Sequence, residues 1–127
     1  MSEVLIKKEM LSHILQNATA VHPREMMLLL RGKINKNQAT ITDLIIPPLA
    51  THGKGFSGFQ RYMLPMDFSI IGTVHSHPSG VTKPSTADLH HSFGRIIMIV
   101  GFPYKDEANA AVFNHSGEKL TLRIALL

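Results

Sequence analysis

Residues 75–88 read His-Ser-His-Pro-Ser-Gly-Val-Thr-Lys-Pro-Ser-Thr-Ala-Asp and follow the apolar run Phe-Ser-Ile-Ile-Gly-Thr-Val at residues 68–74. The apolar run predicts a buried β-strand, and successive side chains of a strand point to opposite faces. His75 and His77 therefore share one face at the strand end. Pro78 ends the strand, and Pro84-Ser85 predicts the start of a helix with Asp88 in its first turn.

These side chains form a candidate metal site. Imidazole nitrogen and carboxylate oxygen both bind Zn²⁺, and three protein ligands leave a fourth tetrahedral position for water, which is typical of a catalytic zinc. Part of the pattern has a simpler interpretation, because a Ser with an acid three residues later also marks a helix N-terminus. A lone His-x-His pair is also more often incidental. The combination of same-face histidines, short loop and inward acid favours one Zn²⁺ held by His75, His77 and Asp88.

Other classes of metal-dependent hydrolase fit the sequence less well. The helical His-Glu-x-x-His pattern of many metalloproteases is absent. A barrel hydrolase needs roughly 250 residues, whereas this chain has 127. Binuclear hydrolases that extend His-x-His with a nearby Asp-His pair are disfavoured because Pro78 and Ser79 follow the second histidine.

The composition predicts a single globular domain over residues 1–127, with 44% hydrophobic and 17% charged residues. The absence of cysteine excludes disulfides, thiol catalysis and cysteine zinc sites. No run of 18 apolar residues and no secretory signal core is present, so we expect no membrane partner and a cytoplasmic location.

The formal net charge is +4, which attracts acidic partners or simply favours solubility. The basic residues are dispersed along the chain, and no basic run interleaved with aromatic residues occurs. Nucleic-acid binding is therefore not favoured.

Hydrophobic periodicity predicts an α/β domain with about two helices and six or seven strands. Between the third and fourth predicted strands, residues 52–63 are rich in glycine and aromatic residues. They predict either a surface loop or a flap that pairs with an extended peptide. Turns are predicted at Gly32 and residues 35–37. The predicted strands are residues 4–6, 25–31, 40–46, 68–74, 95–101, 108–113 and 119–127. The first predicted helix has an apolar face made of Leu11, Ile14, Leu15 and Ala18 and ends at residues 22–24. The second predicted helix is residues 85–93 and is ended by Gly94.

A hydrolytic zinc site also needs a group that accepts and returns protons, because zinc lowers the pKa of bound water to about 7. Glu9 lies on an exposed helix face, and the acids at residues 106, 107 and 118 lie in predicted loops or strand starts. Glu25 heads a buried strand, where an unpaired carboxylate is costly. It is either an ion-paired acid at a strand end or the general base.

At these positions the chain resembles the JAMM motif of the MPN-domain zinc metalloproteases, which include zinc-dependent deubiquitinases. The motif has the spacing H-x-H-x(7)-S-x-x-D after an upstream glutamate. The resemblance extends from about residue 4 to about residue 115. The matching residues are Glu25, His75, His77, Ser85 and Asp88.

The resemblance implies an α/β fold similar to cytidine deaminases, with a mixed β-sheet flanked by helices. It also implies that the chain is a zinc isopeptidase or peptidase that cuts after the C-terminal tail of a ubiquitin-like protein or its conjugates. His75, His77 and Asp88 would bind one Zn²⁺, Glu25 would activate the water, and Ser85 would stabilise the oxyanion.

Two departures from the family bear on the substrate. Insertions that grip both members of a ubiquitin chain are absent, and residues 64–68 leave no room for the helix that many relatives have before the histidine strand. The compact form is more similar to prokaryotic and archaeal relatives. The alternatives are therefore a peptidase that processes a sulfur-carrier protein and a non-catalytic MPN scaffold.

Overall fold

The fold is taken from a computed structural model, which describes residues 1–47, 69–90 and 94–126. The described residues form seven strands, two α-helices and one 3₁₀ turn, Glu107–Asn109. The helices are α1 (Lys8–Val21) and α2 (Thr86–His90), and the strands are β1 (Glu3–Lys7), β2 (Met27–Asn35), β3 (Gln38–Ile45), β4 (Ile70–His77), β5 (Ile96–Gly101), β6 (Ala110–Asn114) and β7 (Lys119–Ala125).

The strands form one mixed sheet in the order β1-β3-β2-β4-β5-β6-β7. Strand β1 is parallel to both β3 and β7, so the pairing order returns to its start. At the centre, β4 is antiparallel to β2 and parallel to β5. Its end is therefore fixed on both sides.

The two helices pack on different apolar clusters. The buried face of α1, Leu11, Ile14, Leu15 and Ala18, belongs to the large core that also contains Val74 and Met98. Leu89 of α2 packs on a smaller cluster made of Ile97, Ile99, Ala111 and Phe113. The prediction of an α/β domain with a mixed sheet flanked by helices is confirmed.

The structure corrects three local predictions. Gly32 is not a turn but lies inside β2, at a register shift between Arg31 and Gly32. A side chain there would collide with the Thr40 carbonyl, which explains the glycine. Glu25 does not head the strand, because β2 begins at Met27 and Glu25 is exposed in the preceding loop. The 3₁₀ turn occupies Ala108, so β6 starts two residues later than predicted.

Some of the predictions concern residues that the structure does not describe. The glycine-rich segment 52–63 lies outside the described residues, as do residues 64–68, where no helix was predicted, and residues 91–93 of the second predicted helix. Within the described residues, neither helix has the length and apolar character needed to cross a bilayer.

Candidate metal centre

Strand β4 carries both histidines at its carboxyl end. His75 is in register with Met27 of β2 and Ile99 of β5, and His77 is in register with Gly101. The two rings share a face, with centroids 5.2 Å apart. The His75 side chain is fully buried and that of His77 is 14% exposed. One ring is therefore fixed in the interior while the other borders solvent.

Asp88 is fixed by the start of α2. The Ser85 amide donates to Asp88 Oδ2 at 2.7 Å, and the Asp88 amide donates to Ser85 Oγ at 3.0 Å. This reciprocal pair is the capping box that the sequence predicts. The cap and the metal-ligand interpretations hold together, because the same carboxylate that accepts the Ser85 amide also faces the histidines.

The three side chains meet at one point. His75 Nε2 lies 3.1 Å from Asp88 Oδ1, and His77 Nε2 lies 3.1 Å from Asp88 Oδ2. One potential ligand atom from each residue lies within 4.8 Å of the others. Ligands at ordinary Zn–N and Zn–O distances in a tetrahedron are about 3.3 Å apart. The donor types and separations therefore fit a metal ion, and this is the one such His and carboxylate group among the described residues.

His77 is held in a tautomer suited to binding a metal. Its Nδ1 lies 2.7 Å from the Val81 carbonyl, so Nδ1 carries a hydrogen and donates to it. This leaves Nε2 directed at Asp88. A hydrogen bond on the second ring nitrogen commonly fixes ring orientation and raises ligand basicity.

His77 and Asp88 shift each other's pKa values. The hydrogen bond to Asp88 raises the pKa of His77 above its ordinary value, although burial opposes this; the Val81 carbonyl raises it further. Burial by itself would raise the pKa of the Asp88 carboxyl, but hydrogen bonds with His75 and His77 outweigh burial and hold it well below the usual range. The cluster thus presents a carboxylate to a cation or a proton.

Glu25 and Ser85 open onto the same cleft as the cluster. The cleft has a volume of about 480 Å³, and its lining includes Glu25, His77, Lys83, Ser85 and Asp88. Glu25 carries a charge close enough to contribute to the raised pKa of His77. The structure therefore brings together all five residues that the sequence singled out, although Glu25 comes from a loop rather than from a strand.

The chain is similar to known proteins over most of its length. Residues 7–114 match the prokaryotic homologues of the JAB domain. The chain belongs to this family. A protein of Haloferax volcanii named "Probable metalloprotease" is 34% identical over 120 residues, which cover 89% of this chain and 74% of that protein.

Solved structures agree with this assignment to the JAB family. A JAB1/MPN domain protein from Archaeoglobus fulgidus superposes with a TM-score of 0.70 at 31% identity, covering 98% of this chain and 99% of that one. A structure described as a JAMM metalloprotease-like zinc site in the proteasome and signalosome gives a TM-score of 0.69 at 31% identity, with the same coverage. This JAB domain is therefore metalloprotease-like, with a His75, His77 and Asp88 cluster suited to a metal.

Sequence reasoning missed two groups that are not candidate ligands but hydrogen-bond to the residues of the site or to their neighbours. The Val81 carbonyl orients His77, and the Ser76 hydroxyl accepts a hydrogen bond from the Met26 amide at 2.7 Å. A buried serine between two candidate ligands was a usable signal for the second contact, because a buried hydroxyl needs a partner. The first contact had no signal, since any residue supplies a carbonyl.

Proposed function

We propose that this JAB domain, residues 1–127, is a zinc-dependent peptidase or isopeptidase that hydrolyses the bond after the C-terminal tail of a ubiquitin-like modifier. The observation that carries the proposal is the shared cleft. Glu25 and Ser85 line the same opening as His77 and Asp88, although they come from separate elements. A protein that only binds partners needs none of these side chains in this arrangement, which argues against the scaffold alternative.

His75, His77 and Asp88 would hold the zinc. A bound Zn²⁺ supplies a Lewis acid and lowers the pKa of a coordinated water to about 7. The protein's part is to hold its donor atoms in place. Asp88 is held by the Ser85 amide and His77 by the Val81 carbonyl, so little rearrangement is needed on binding.

Glu25 would move the protons. Its exposed carboxylate lies on the cleft wall and is free of the capping contacts that occupy Asp88. A carboxylate there would accept a proton from the attacking water and return it to the leaving amine, a role generally worth about 10²–10⁴ in rate.

Ser85 would stabilise the developing oxyanion. Its Oγ accepts the Asp88 amide hydrogen with one lone pair, so its own hydrogen remains available for a substrate carbonyl oxygen. Removing one donor of this kind typically costs about 10²–10³ in kcat.

The form of the site favours an extended, flexible substrate tail. The cleft is a shallow groove at the end of the central strands rather than a deep cavity, and the side chain of Val81 on its lining is 54% exposed. An isopeptide conjugate of a ubiquitin-like protein and a sulfur-carrier protein with a linear C-terminal extension share such a tail. They differ in the leaving amine, which is a lysine side chain in the first and a backbone nitrogen in the second.

The experiment compares Glu25→Gln and Asp88→Ala with the zinc-loaded wild type on both kinds of substrate. Wild type should cut at least one kind, with the bond identified by intact mass, and a chelator should abolish cutting. Glu25→Gln should retain one zinc per chain and lose about 10²-fold or more in kcat, whereas Asp88→Ala should fail to retain zinc.

Matched controls use acids outside the cleft. Glu9 lies on the exposed face of α1 and Asp43 is exposed in β3, so Glu9→Gln and Asp43→Ala should behave as wild type in zinc content and rate. Wild-type turnover by Glu25→Gln would contradict the assigned base. A wild type without bound zinc and without activity on either substrate would favour the scaffold.

A further inference from the structure

Two hydrogen-bonded contacts hold the loop that carries Glu25, one on each side of Glu25. The Met26 amide donates to Ser76 Oγ at 2.7 Å, and the Ser76 amide donates to the Met26 carbonyl at 3.0 Å. The Tyr104 hydroxyl lies 2.9 Å from His22 Nδ1. The loop is therefore held at Met26 by Ser76 and at His22 by Tyr104.

Each contact has a consistent donor and acceptor. Ser76 Oγ accepts from the Met26 amide. The Tyr104 hydroxyl can donate to His22 Nδ1 in the tautomer that leaves this nitrogen unprotonated. Both hydroxyls therefore have a partner within the protein.

The Tyr104 side chain is buried, and its backbone has a rare conformation. Its side chain is only 5% exposed, and its backbone has φ 57°, a left-handed conformation that a residue with a Cβ rarely adopts. Such strain persists where the surroundings over-determine it and is often found near functional sites. Phe102 stacks on His22 with centroids 4.7 Å apart and meets Tyr104 edge-on at 5.9 Å. The aromatic contacts fix the two ends of the His22–Tyr104 bond.

The charge of the proposed base, Glu25, also shifts the pKa of Tyr104. Burial raises the pKa of Tyr104, the Ser76 side chain lowers it, and the charge of Glu25 raises it again. Glu25 lies between His22 and Met26 in the sequence. The two contacts therefore hold the loop on both sides of Glu25.

We propose that Tyr104 is a positioning residue for Glu25: it anchors residues 22–26 at His22, while Ser76 anchors them at Met26. The inference rests on the proposed function of Glu25, but the anchor itself is a structural claim that can be measured without turnover. A base on an unanchored loop would sample many positions, and small misplacements of a reacting group can cost about 10²-fold in rate.

The test replaces Tyr104 by Phe, which removes the hydroxyl and keeps the ring. In the zinc-loaded protein kcat should fall about tenfold or more, while KM and zinc content stay within about twofold of wild type. In the metal-free protein, hydrogen–deuterium exchange should become about three- to tenfold faster in residues 22–26, with no change in β6 and β7. A residue with only a general structural role would speed exchange throughout or change KM and kcat together.

A double-mutant cycle and a conservative rescue identify the bond. His22→Leu should lower kcat as Tyr104→Phe does, and the double variant should be no worse than either single one, because all three lack the same interaction. His22→Asn places an amide oxygen near the position of Nδ1 and should restore most of the rate lost in His22→Leu. His22 is only partly buried, so this pair still tests the anchor if Tyr104→Phe does not fold.

The outcomes separate the two proposals. Unchanged kcat together with unchanged exchange in residues 22–26 would refute the anchor, as would strictly additive losses in the cycle. An inactive wild type whose Tyr104→Phe variant still shows faster exchange in residues 22–26 would overturn the proposed function and the catalytic purpose of the anchor, while retaining the anchor as a structural feature.

Discussion

The Ser85 hydroxyl has two tasks that can be separated by substitution. It accepts the Asp88 amide as a helix cap, and it faces the cleft with its hydrogen available. Ser85→Ala should lose both, with about 1 kcal/mol of unfolding free energy and about 10²–10³ in kcat. Ser85→Gly should lose the rate equally but only a few tenths of a kcal/mol, because glycine is tolerated at an N-cap.

Urea unfolding measures the first effect and single-turnover hydrolysis by the zinc-loaded variants measures the second. A Ser85→Gly variant that hydrolyses substrate at the wild-type rate would contradict the oxyanion role. A rate that follows stability across the two variants would mean that Ser85 acts only through the helix.

Individual residues of the site differ in how far the sequence predicts them. His75, His77, Ser85 and Asp88 lie within fourteen residues, and strand alternation with a helix cap is enough to place them together. Glu25 is fifty residues upstream of His75. Elimination of the other acids singled it out on the wrong premise that it heads a strand, and only the family resemblance assigned it as the base. Its place in the cleft depends on the antiparallel pairing of β2 with β4, in which Met27 is in register with His75. Nothing local to Glu25 encodes that register.

At the scale of elements, the loop after β4 is held against the end of β5. A Cβ on Gly101 would lie 2.7 Å from the Gly80 carbonyl oxygen and 3.1 Å from Thr82 Cγ2. Gly101→Ala should therefore push away the loop that presents the Val81 carbonyl to His77. We expect about 10–100-fold weaker zinc binding, the usual cost of losing an outer partner of a metal ligand, and a stability loss of about 1–3 kcal/mol.

Val112→Ala serves as the matched control. Val112 is fully buried in β6 and belongs to the core that packs on α1, so its truncation should lower stability without changing zinc affinity. Zinc titration and thermal unfolding of both variants decide the case. Equal zinc affinity in Gly101→Ala and wild type would show that the loop does not orient His77.

Helices and strands with a clear hydrophobic period were predictable from the sequence, whereas their first and last residues were less so. The apolar stripe of α1 and the continuous apolar runs of β4 and β5 identified these elements. The start of β2 was placed two residues early, because the run Glu25 to Arg31 contains no residue that breaks a strand. Gly32 predicts a turn from its type alone, yet here it permits close approach of β3 at a bulge. Both errors arise because pairing partners, not local preferences, set these positions.

At the scale of the whole molecule, the metal site joins segments that are far apart in the chain. Strand order was not predictable, since β1 contacts β3 and β7 and its parallel pairing with each depends on connections that local patterns do not specify. The same arrangement makes zinc binding a property of the folded state. The ligands come from β4 and α2, and their supports come from the β4–α2 loop and the end of β5.

Zinc should therefore stabilise the fold in a pH-dependent way. A ligand that binds only the native state at 100 times its dissociation constant adds about 2.7 kcal/mol, which for a chain of this length raises Tm by roughly 10 °C. Contact with Asp88 raises the pKa of His77 in the metal-free protein, so the proton that zinc must displace is held more tightly as pH falls. At pH 5 the competition weakens zinc binding by about 30-fold or more relative to pH 7.5.

Thermal unfolding with and without zinc at pH 7.5 and pH 5 measures this effect at one fixed zinc concentration. The increase in Tm should fall to about a third or less at pH 5. Asp88→Ala, which lacks a ligand, should show little increase at either pH, which separates specific binding from general effects of zinc. An increase of the same size at both pH values would mean that zinc does not displace a proton from His77. The metal would then have to bind elsewhere on the molecule.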